Sequence, residues 1–425
     1  MNKIITISTM MMLTILTAAF LVPYTLNNRS TETKSFYIGV NYCGNSTSDA
    51  KLLIDRVKTY TNLFVLQSSV VWGNETATKE ICDYAVAKGL NILLNLGTRN
   101  ATFPWYSDTT FLWHLLLLQN AKERWGNRFL GVYYDDEPGG VQLDTDWASF
   151  FASPDFANLS QSPLFPNSPL DRIYRETLKA NVSSPTPKNY SDEAEWFTNL
   201  VRWNLHGWNL SSDQWKAAGI KSFTSDYTLY WWDYLGGYDV MLAQFGWNHT
   251  ITQDIALVRG AARLQNKTWG AIITWKYTEE PYLEENRTVI YNQIRMAYEA
   301  GATYVILFNY PKIEGNPYGG VLTDEHFEAL EQFWNDVMTK PNQKTRDFNQ
   351  AEVALVLPKN YGWGMRNPND SIWGFWGPDE RSPQIWEISR KLLAQYGLSL
   401  DIVYDDPAFP AAGNYSQIYY WNQTS

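Results

Sequence analysis

Cysteine is almost missing from this chain of 425 residues: there are two, Cys43 and Cys82. A disulfide framework is thereby excluded. A single bridge is arithmetically open, but Cys43 falls at a strand end and Cys82 within a helix, so two buried free thiols are expected. Histidine is scarce as well. His114, His206, His249 and His326 are scattered, with no metal-ligand spacing, and the expectation is no metal and no cofactor. Positive charge is the minority sign: 34 Lys and Arg against 44 Asp and Glu, a formal net charge of -10. That balance argues against a nucleic-acid partner. Internal repeats, low-complexity tracts and a nucleotide-binding glycine-rich turn are also absent.

What the chain has in excess is aromatic residues, 16% of the total, with 20 Trp and 27 Tyr. Some must build the core. A surplus is also what sugar-binding clefts use, because sugar C–H faces stack on rings. The second excess is of Asn-x-Ser/Thr sequons, which begin at Asn28, Asn45, Asn74, Asn100, Asn158, Asn181, Asn189, Asn209, Asn248, Asn266, Asn286, Asn369, Asn414 and Asn422. Random placement of this chain's Asn, Ser and Thr gives roughly five, where fourteen occur. The N-terminus agrees with export. One Lys precedes an uncharged run from Ile4 to Leu26, which reads as a cleaved secretory signal or as an uncleaved signal anchor. The expectation is a glycoprotein that is extracellular or at the cell surface, touching membrane only through that segment.

Apolar runs and helical spacings then alternate. Strands are expected at Ser35–Tyr42, Leu63–Ser68, Leu90–Leu96 and Phe129–Tyr134, with helices at Asp49–Tyr60, Ala77–Ala87 and Leu112–Arg124 between them. Residues 141–215 break the rhythm with prolines, sequons and Trp-rich stretches, and read as a long insertion after the fourth strand. The rhythm resumes with strands at Lys221–Tyr227, Val240–Phe245, Gly270–Tyr277 and Tyr304–Tyr310. Helices are expected at Ile251–Gln265, Val289–Ala300 and Asp324–Met338. The fifth-to-sixth connection is short for a full helix. Eight strand–helix units over 36–340 give the α/β fold class of a (β/α)8 TIM barrel. A boundary falls at Pro341–Asn349. Beyond it, strands at Glu352–Leu357, Leu398–Tyr404 and Gln417–Trp421 and a helix at Pro383–Tyr396 form a small, partial, doubly wound α/β domain over 350–425. A fragment this short needs support from the barrel.

Active sites of such barrels lie past the carboxyl ends of the strands. There the fourth strand runs into Asp135-Asp136-Glu137-Pro138-Gly139-Gly140. The fifth offers Asp226, and the seventh offers Glu279 and Glu280. Polar candidates join them (Asn41, Gln67, Arg99, Gln244, Lys276, Asn309), as do rings (Tyr42, Trp72, Tyr134, Tyr227, Trp275, Tyr277, Tyr310). Acids converging on one rim among rings suit glycosidic hydrolysis. One carboxyl stays protonated to help the leaving oxygen depart, and desolvation by rings raises its pKa. Each residue also has a plain reading. Glu279 and Glu280 precede Pro281 and can simply start a loop. Asp226 can be a cap, Trp231 and Trp232 core, and Lys276 one half of a structural ion pair. Asp135 faces away from Asp136 if the strand pleat persists.

Over residues 36–340 this layout resembles barrel glycoside hydrolases that use acids after strands four and seven. In that clan strand four usually ends in Asn-Glu, whereas here it ends in Asp136-Glu137. An Asp-Glu pair resembles instead the substrate-assisted hexosaminidases of families 20 and 123. There the Glu is the acid, and the Asp orients the substrate's own acetamido group. Either resemblance implies Glu137 as general acid/base. The first implies Glu279 or Glu280 as nucleophile, the second Asp136 as the acetamide-positioning group. The C-terminal piece is similar to the amidotransferase-like domain following the barrel in some family 42 β-galactosidases. The expectation is a glycoside hydrolase with a carbohydrate partner. The alternatives are a non-catalytic carbohydrate-binding or structural surface glycoprotein on a glycosidase-like barrel, and a metal-dependent glycosyltransferase using Asp135-Asp136.

Overall fold

The computed structural model describes residues 35–68, 71–95, 108–161, 169–177, 180–182, 184–185, 187–206, 219–340 and 351–423. The N-terminal hydrophobic segment, Arg99, and the sequons at Asn28, Asn100 and Asn209 lie outside these residues, as does the side chain of Trp72. Among the described residues no helix is long and apolar enough to cross a membrane.

Eight parallel strands close into a barrel in sequence order. They are β1 (Tyr37–Tyr42), β2 (Leu63–Leu66), β3 (Asn91–Asn95), β4 (Phe129–Tyr133), β5 (Lys221–Asp226), β6 (Val240–Phe245), β7 (Thr268–Ile273) and β8 (Tyr304–Leu307). Closure is made by β8 against β1, in the register Gly39 with Ile306 and Val40 with Leu307. The (β/α)8 expectation is met, and every strand but β1 and β6 ends earlier than its apolar run suggests. Helices α1 (Thr47–Val57), α2 (Glu75–Ala87) and α3 (Asp108–Trp125) cover the first crossovers. Ser46 starts α1 and Asn74 starts α2 by accepting backbone N–H bonds from Asp49 and Ala77, which satisfies donors that a helix start leaves free.

The insertion after β4 begins with α4 (Pro138–Asp144), α5 (Trp147–Phe151) and α6 (Pro154–Leu159). It continues through α7 (Pro169–Thr177) to the longer α8 (Tyr190–His206). The short fifth crossover holds one seven-residue helix, α9 (Tyr230–Gly236). Helices α10 (Ile251–Leu264), α11 (Arg287–Glu299) and α12 (Asp324–Phe333) complete the outer ring.

Two apolar layers result from strand pleating. Leu63, Val65, Leu93, Tyr133, Phe223, Val240, Leu242, Ile272, Tyr304 and Ile306 fill the barrel interior. Side chains of the opposite parity pack outward beneath the helices and belong to the larger cluster. Trp231 and Trp232 are core, as their plain reading has it.

At the C-terminus β9 (Val353–Leu357), β10 (Leu400–Tyr404) and β11 (Gln417–Tyr420) make a parallel sheet in the order β10-β9-β11, with α13 (Ser382–Tyr396) between β9 and β10. This piece is part of one compact unit spanning Phe36–Ser425. Its support comes from α10. The buried Arg259 Nε donates to Asp401 Oδ1 at 2.7 Å, and its Nη2 donates to the carbonyls of Leu398 and Leu400. Both thiols are free; Cys82 is buried and Cys43 partly so.

Candidate active site

Strand β4 stops at Tyr133, and the pleat does not continue through the acids. Asp135 and Glu137 both have left-handed backbone, with φ of 61 and 52. Such a conformation costs an L-residue about 1–2 kcal/mol. It is held from β5: Glu137 N–H donates to Ser225 O at 3.0 Å, and Thr224 Oγ1 donates to Asp135 O at 3.2 Å. The turn aims three consecutive acids in different directions. Strain of this kind gathers where side-chain direction matters for function.

Asp136 and Glu137 both enter a cavity of about 240 Å³ at the barrel mouth. Its polar lining comes from Tyr133, Ser225, Gln244 and Thr274, and its rings from Trp247, Trp275, Phe308 and Tyr310. Trp275 and Tyr310 lie parallel, with centroids 5.9 Å apart, and Trp247 meets Trp275 at 5.7 Å.

The hydrogen bonds in this cavity have one consistent direction. An indole N–H only donates. Trp247 Nε1 donates to Gln244 Oε1 at 2.9 Å, so the Gln244 amide must present its nitrogen on the other side. From there Nε2 donates to Glu137 Oε1 at 2.6 Å and to Ser225 Oγ at 3.0 Å. Ser225 Oγ donates in turn to Asp136 Oδ1 at 3.0 Å, which also accepts from Tyr133 Oη at 2.5 Å. Glu137 Oε2 and Asp136 Oδ2 accept no bond from the described residues, so each acid keeps one oxygen for a ligand.

The electrostatics separate these acids from ordinary surface carboxylates. Burial and then the neighbouring Asp136 charge push Glu137 up to about 7, against the opposing pull of the Gln244 donor. Asp136 meets solvent in the cavity but is ringed by protein, and burial pushes it up to about 6 while its two hydroxyl partners resist. Asp135 turns away, to within 3.4 Å of Asn204 Nδ2, and burial raises it to about 6.

The remaining sequence candidates take other positions. Glu279 and Glu280 sit in an exposed turn and do not line the cavity. Neither of the expected strand-seven nucleophiles therefore lines the cavity with Glu137; β7 ends at Ile273, before the chain reaches them. Asp226 belongs to the outward parity of β5 and is fully buried. Its carboxylate accepts from the backbone N–H of Gly139 at 2.5 Å, Gly140 at 3.0 Å, Tyr227 at 2.7 Å and Thr228 at 3.2 Å. It caps the first N–H groups of α4, which starts one residue past Glu137. The buried Asp233 lies behind it and is held well above the ordinary carboxyl range by burial and by the Asp226 charge. Burial pushes Asp226 itself up to about 8, against the pull of its N–H donors.

Tyr134 also has outward parity and lies in the outer core. Tyr42 bonds Ser46, and Tyr227 reaches Asp144 at 2.7 Å, outside the cavity. Asn41 and Asn309 brace β1 against β8: Asn309 N–H donates to Asn41 Oδ1, and Asn41 Nδ2 donates to Gln67 Oε1. Lys276 pairs with Glu284. Of the expected site residues, Asp136, Glu137, Gln244, Trp275 and Tyr310 meet in the cavity. Tyr133, Ser225, Trp247, Ile272, Thr274 and Phe308 join them without having been singled out from the sequence. The inward parity of β4 and β5 in the closed barrel is what brings Tyr133 and Ser225 here. Among the described residues, no group of three or more His, Cys, Asp or Glu side chains is placed to hold a metal ion.

No family model matches the sequence, and no curated protein matches it. Solved structures similar to it include a GH99 endo-α-mannosidase from Bacteroides thetaiotaomicron, with 11% identity, 71% of this chain and 89% of that chain covered, and a TM-score of 0.37. A GH5-4 broad-specificity endoglucanase from an uncultured bovine rumen ciliate has 9% identity, covers 71% and 96%, and scores 0.38. A D-psicose 3-epimerase from Clostridium cellulolyticum H10 has 9% identity, covers 72% and 99%, and scores 0.37. Likeness at this level assigns neither family nor activity.

Proposed function

We propose that the barrel mouth hydrolyses glycosidic bonds, with Glu137 as general acid/base. The observation that carries this reading is that a carboxyl raised to about 7 and a second acid share one cavity with stacked rings. Rings supply faces on which a sugar can stack, and their apolar surroundings keep Glu137 protonated near neutral pH. Gln244 occupies Glu137 Oε1. The proton is thereby assigned to Oε2, the oxygen free to reach a glycosidic oxygen. As that C–O bond breaks, positive charge develops at the anomeric carbon and ring oxygen.

Asp136 is the second carboxylate of the cavity, and the strand-seven acids do not line it. This favours the substrate-assisted scheme, in which the sugar's 2-acetamido oxygen attacks its own anomeric carbon. Asp136 would accept the acetamide N–H through Oδ2, while Tyr133 and Ser225 hold Oδ1. Glu137, having given its proton to the leaving group, then takes one from the water that opens the cyclic intermediate.

A panel of α- and β-linked chromogenic sugars, with and without 2-acetamido groups, tests the proposal. Turnover of an acetamido sugar by wild type and its loss in Glu137→Gln are expected. Turnover confined to sugars lacking the acetamide would overturn the role given to Asp136. Glycan binding without hydrolysis of any member would make the cavity a carbohydrate-binding site instead.

A further inference from the structure

We propose that the sequon asparagines of this chain carry N-linked glycans, the fold presenting each described one for modification. The inference is independent of the activity proposed above. Eleven of the fourteen sequons begin on described residues, and all eleven asparagines are exposed. The chain contains its own control. Fourteen described asparagines stand outside sequons, and only five of those are exposed; Asn41, Asn95 and Asn309 are buried. Residue type is the same in both sets, so the preference of asparagine for surfaces does not account for the split.

A preference for turns and helix starts explains part of the pattern, and the atoms involved distinguish it from the proposal. Three sequon asparagines begin helices. Asn74 Oδ1 accepts from Ala77 N–H at 3.0 Å, and Asn286 Oδ1 accepts from Thr288 N–H at 2.9 Å. Asn189 Oδ1 accepts from Ser191 N–H at 3.1 Å. In each case the cap uses the oxygen and leaves Nδ2, the atom that receives a glycan, bonded to no described residue. A cap alone is served as well by Ser or Asp. It does not call for Ser or Thr two positions later, as the sequon does.

The modification is a group transfer. Nδ2 forms a bond to the anomeric carbon of a phosphate-activated glycan donor and gives up one proton, which passes to solvent. The donor's C–O bond breaks, and its electron pair leaves on the phosphate oxygen. One N–H remains on the asparagine, and Oδ1 is untouched, so the three helix caps survive. Asn414 differs: its Nδ2 already donates to Pro410 O at 3.1 Å. It is therefore the poorest acceptor of the eleven. Transfer of this kind occurs on exported chains, consistent with the uncharged segment from Ile4 to Leu26.

Glycopeptide mass spectrometry on the protein purified from the organism that makes it tests the inference. Sugar increments on at least half of the eleven peptides are expected, with those of Asn74, Asn189 and Asn286 among them and that of Asn414 the least occupied. Sugar on fewer than half, or an intact mass equal to the bare chain, would overturn it.

Discussion

At the residue scale, three consecutive acids have three fates. Asp135 faces the outer packing, Asp136 is held by two hydroxyls, and Glu137 is held by one amide whose orientation an indole sets. Glu137→Gln keeps the shape and removes the transferable proton, so hydrolysis should fall by roughly 10²–10⁴-fold. The same substitution should alter stability in a pH-dependent way. Because the folded chain holds the Glu137 proton more tightly than the unfolded chain does, its contribution is present below the ordinary pKa of 4.5 and lost as pH rises through about 7. Thermal unfolding should therefore find Glu137→Gln more stable than wild type at pH 8, on the order of 1–2 kcal/mol given its partial solvent contact, and equal to it at pH 4. Trp247→Phe keeps a ring but removes the donor that orients Gln244. With Gln244 free to turn its oxygen toward Glu137, the acid should lose its partner, and the alkaline limb of activity should move upward.

At the scale of elements, the site is a clasp between the ends of β4 and β5. Ser225 holds the Glu137 backbone and the cavity network, while Asp226 holds the first N–H groups of α4. Gly139 and Gly140 let the two chains approach: a Cβ on Gly140 would lie 2.2 Å from the Tyr227 ring. Asp226→Asn replaces one accepting oxygen with a donor and strands at least one buried N–H, so a loss of about 1–3 kcal/mol is expected in denaturant titration. The barrel itself was legible in the sequence because each unit carries its own signal, an apolar run followed by 3.6-residue spacing. Strand parity was not. A barrel strand is apolar on both sides, so nothing local states that Phe223 and Ser225 face inward while Thr224 and Asp226 face outward. Charge and rings at the strand ends thus point to Asp226 and Tyr134 and pass over Ser225 and Tyr133. Glu279 and Glu280 lie outside the cavity lining for a related reason: the run Gly270–Tyr277 looks like strand throughout, but the ladder ends at Ile273.

At the scale of the whole molecule, the C-terminal sheet and its loops brace the site from outside. Arg366 donates to Asp144 at 2.8 Å, and Gln142 Nε2 donates to Trp373 O at 2.7 Å. Helix α4, which begins one residue after Glu137, is thus gripped at its far end by residues more than 200 positions away. Arg259 and Asp401 tie α10 to β10 in a fully desolvated setting. Arg259→Leu leaves the Asp401 charge buried with less compensation and should cost about 3–5 kcal/mol. Calorimetry should show one cooperative transition for barrel and C-terminal sheet together, lowered as a unit by that substitution. A separate early transition for the C-terminal piece would contradict this. Function depends on the same unity, since the acid is only as well placed as the helix that follows it. The most direct measurement is the pH dependence of kcat/KM on the best sugar found, in wild type and in Glu137→Gln. The account predicts a fall in the wild type as pH rises through about 7, and no such limb in the much slower variant. A rate that is level from pH 5 to 9, or one that Glu137→Gln leaves unchanged, would contradict it.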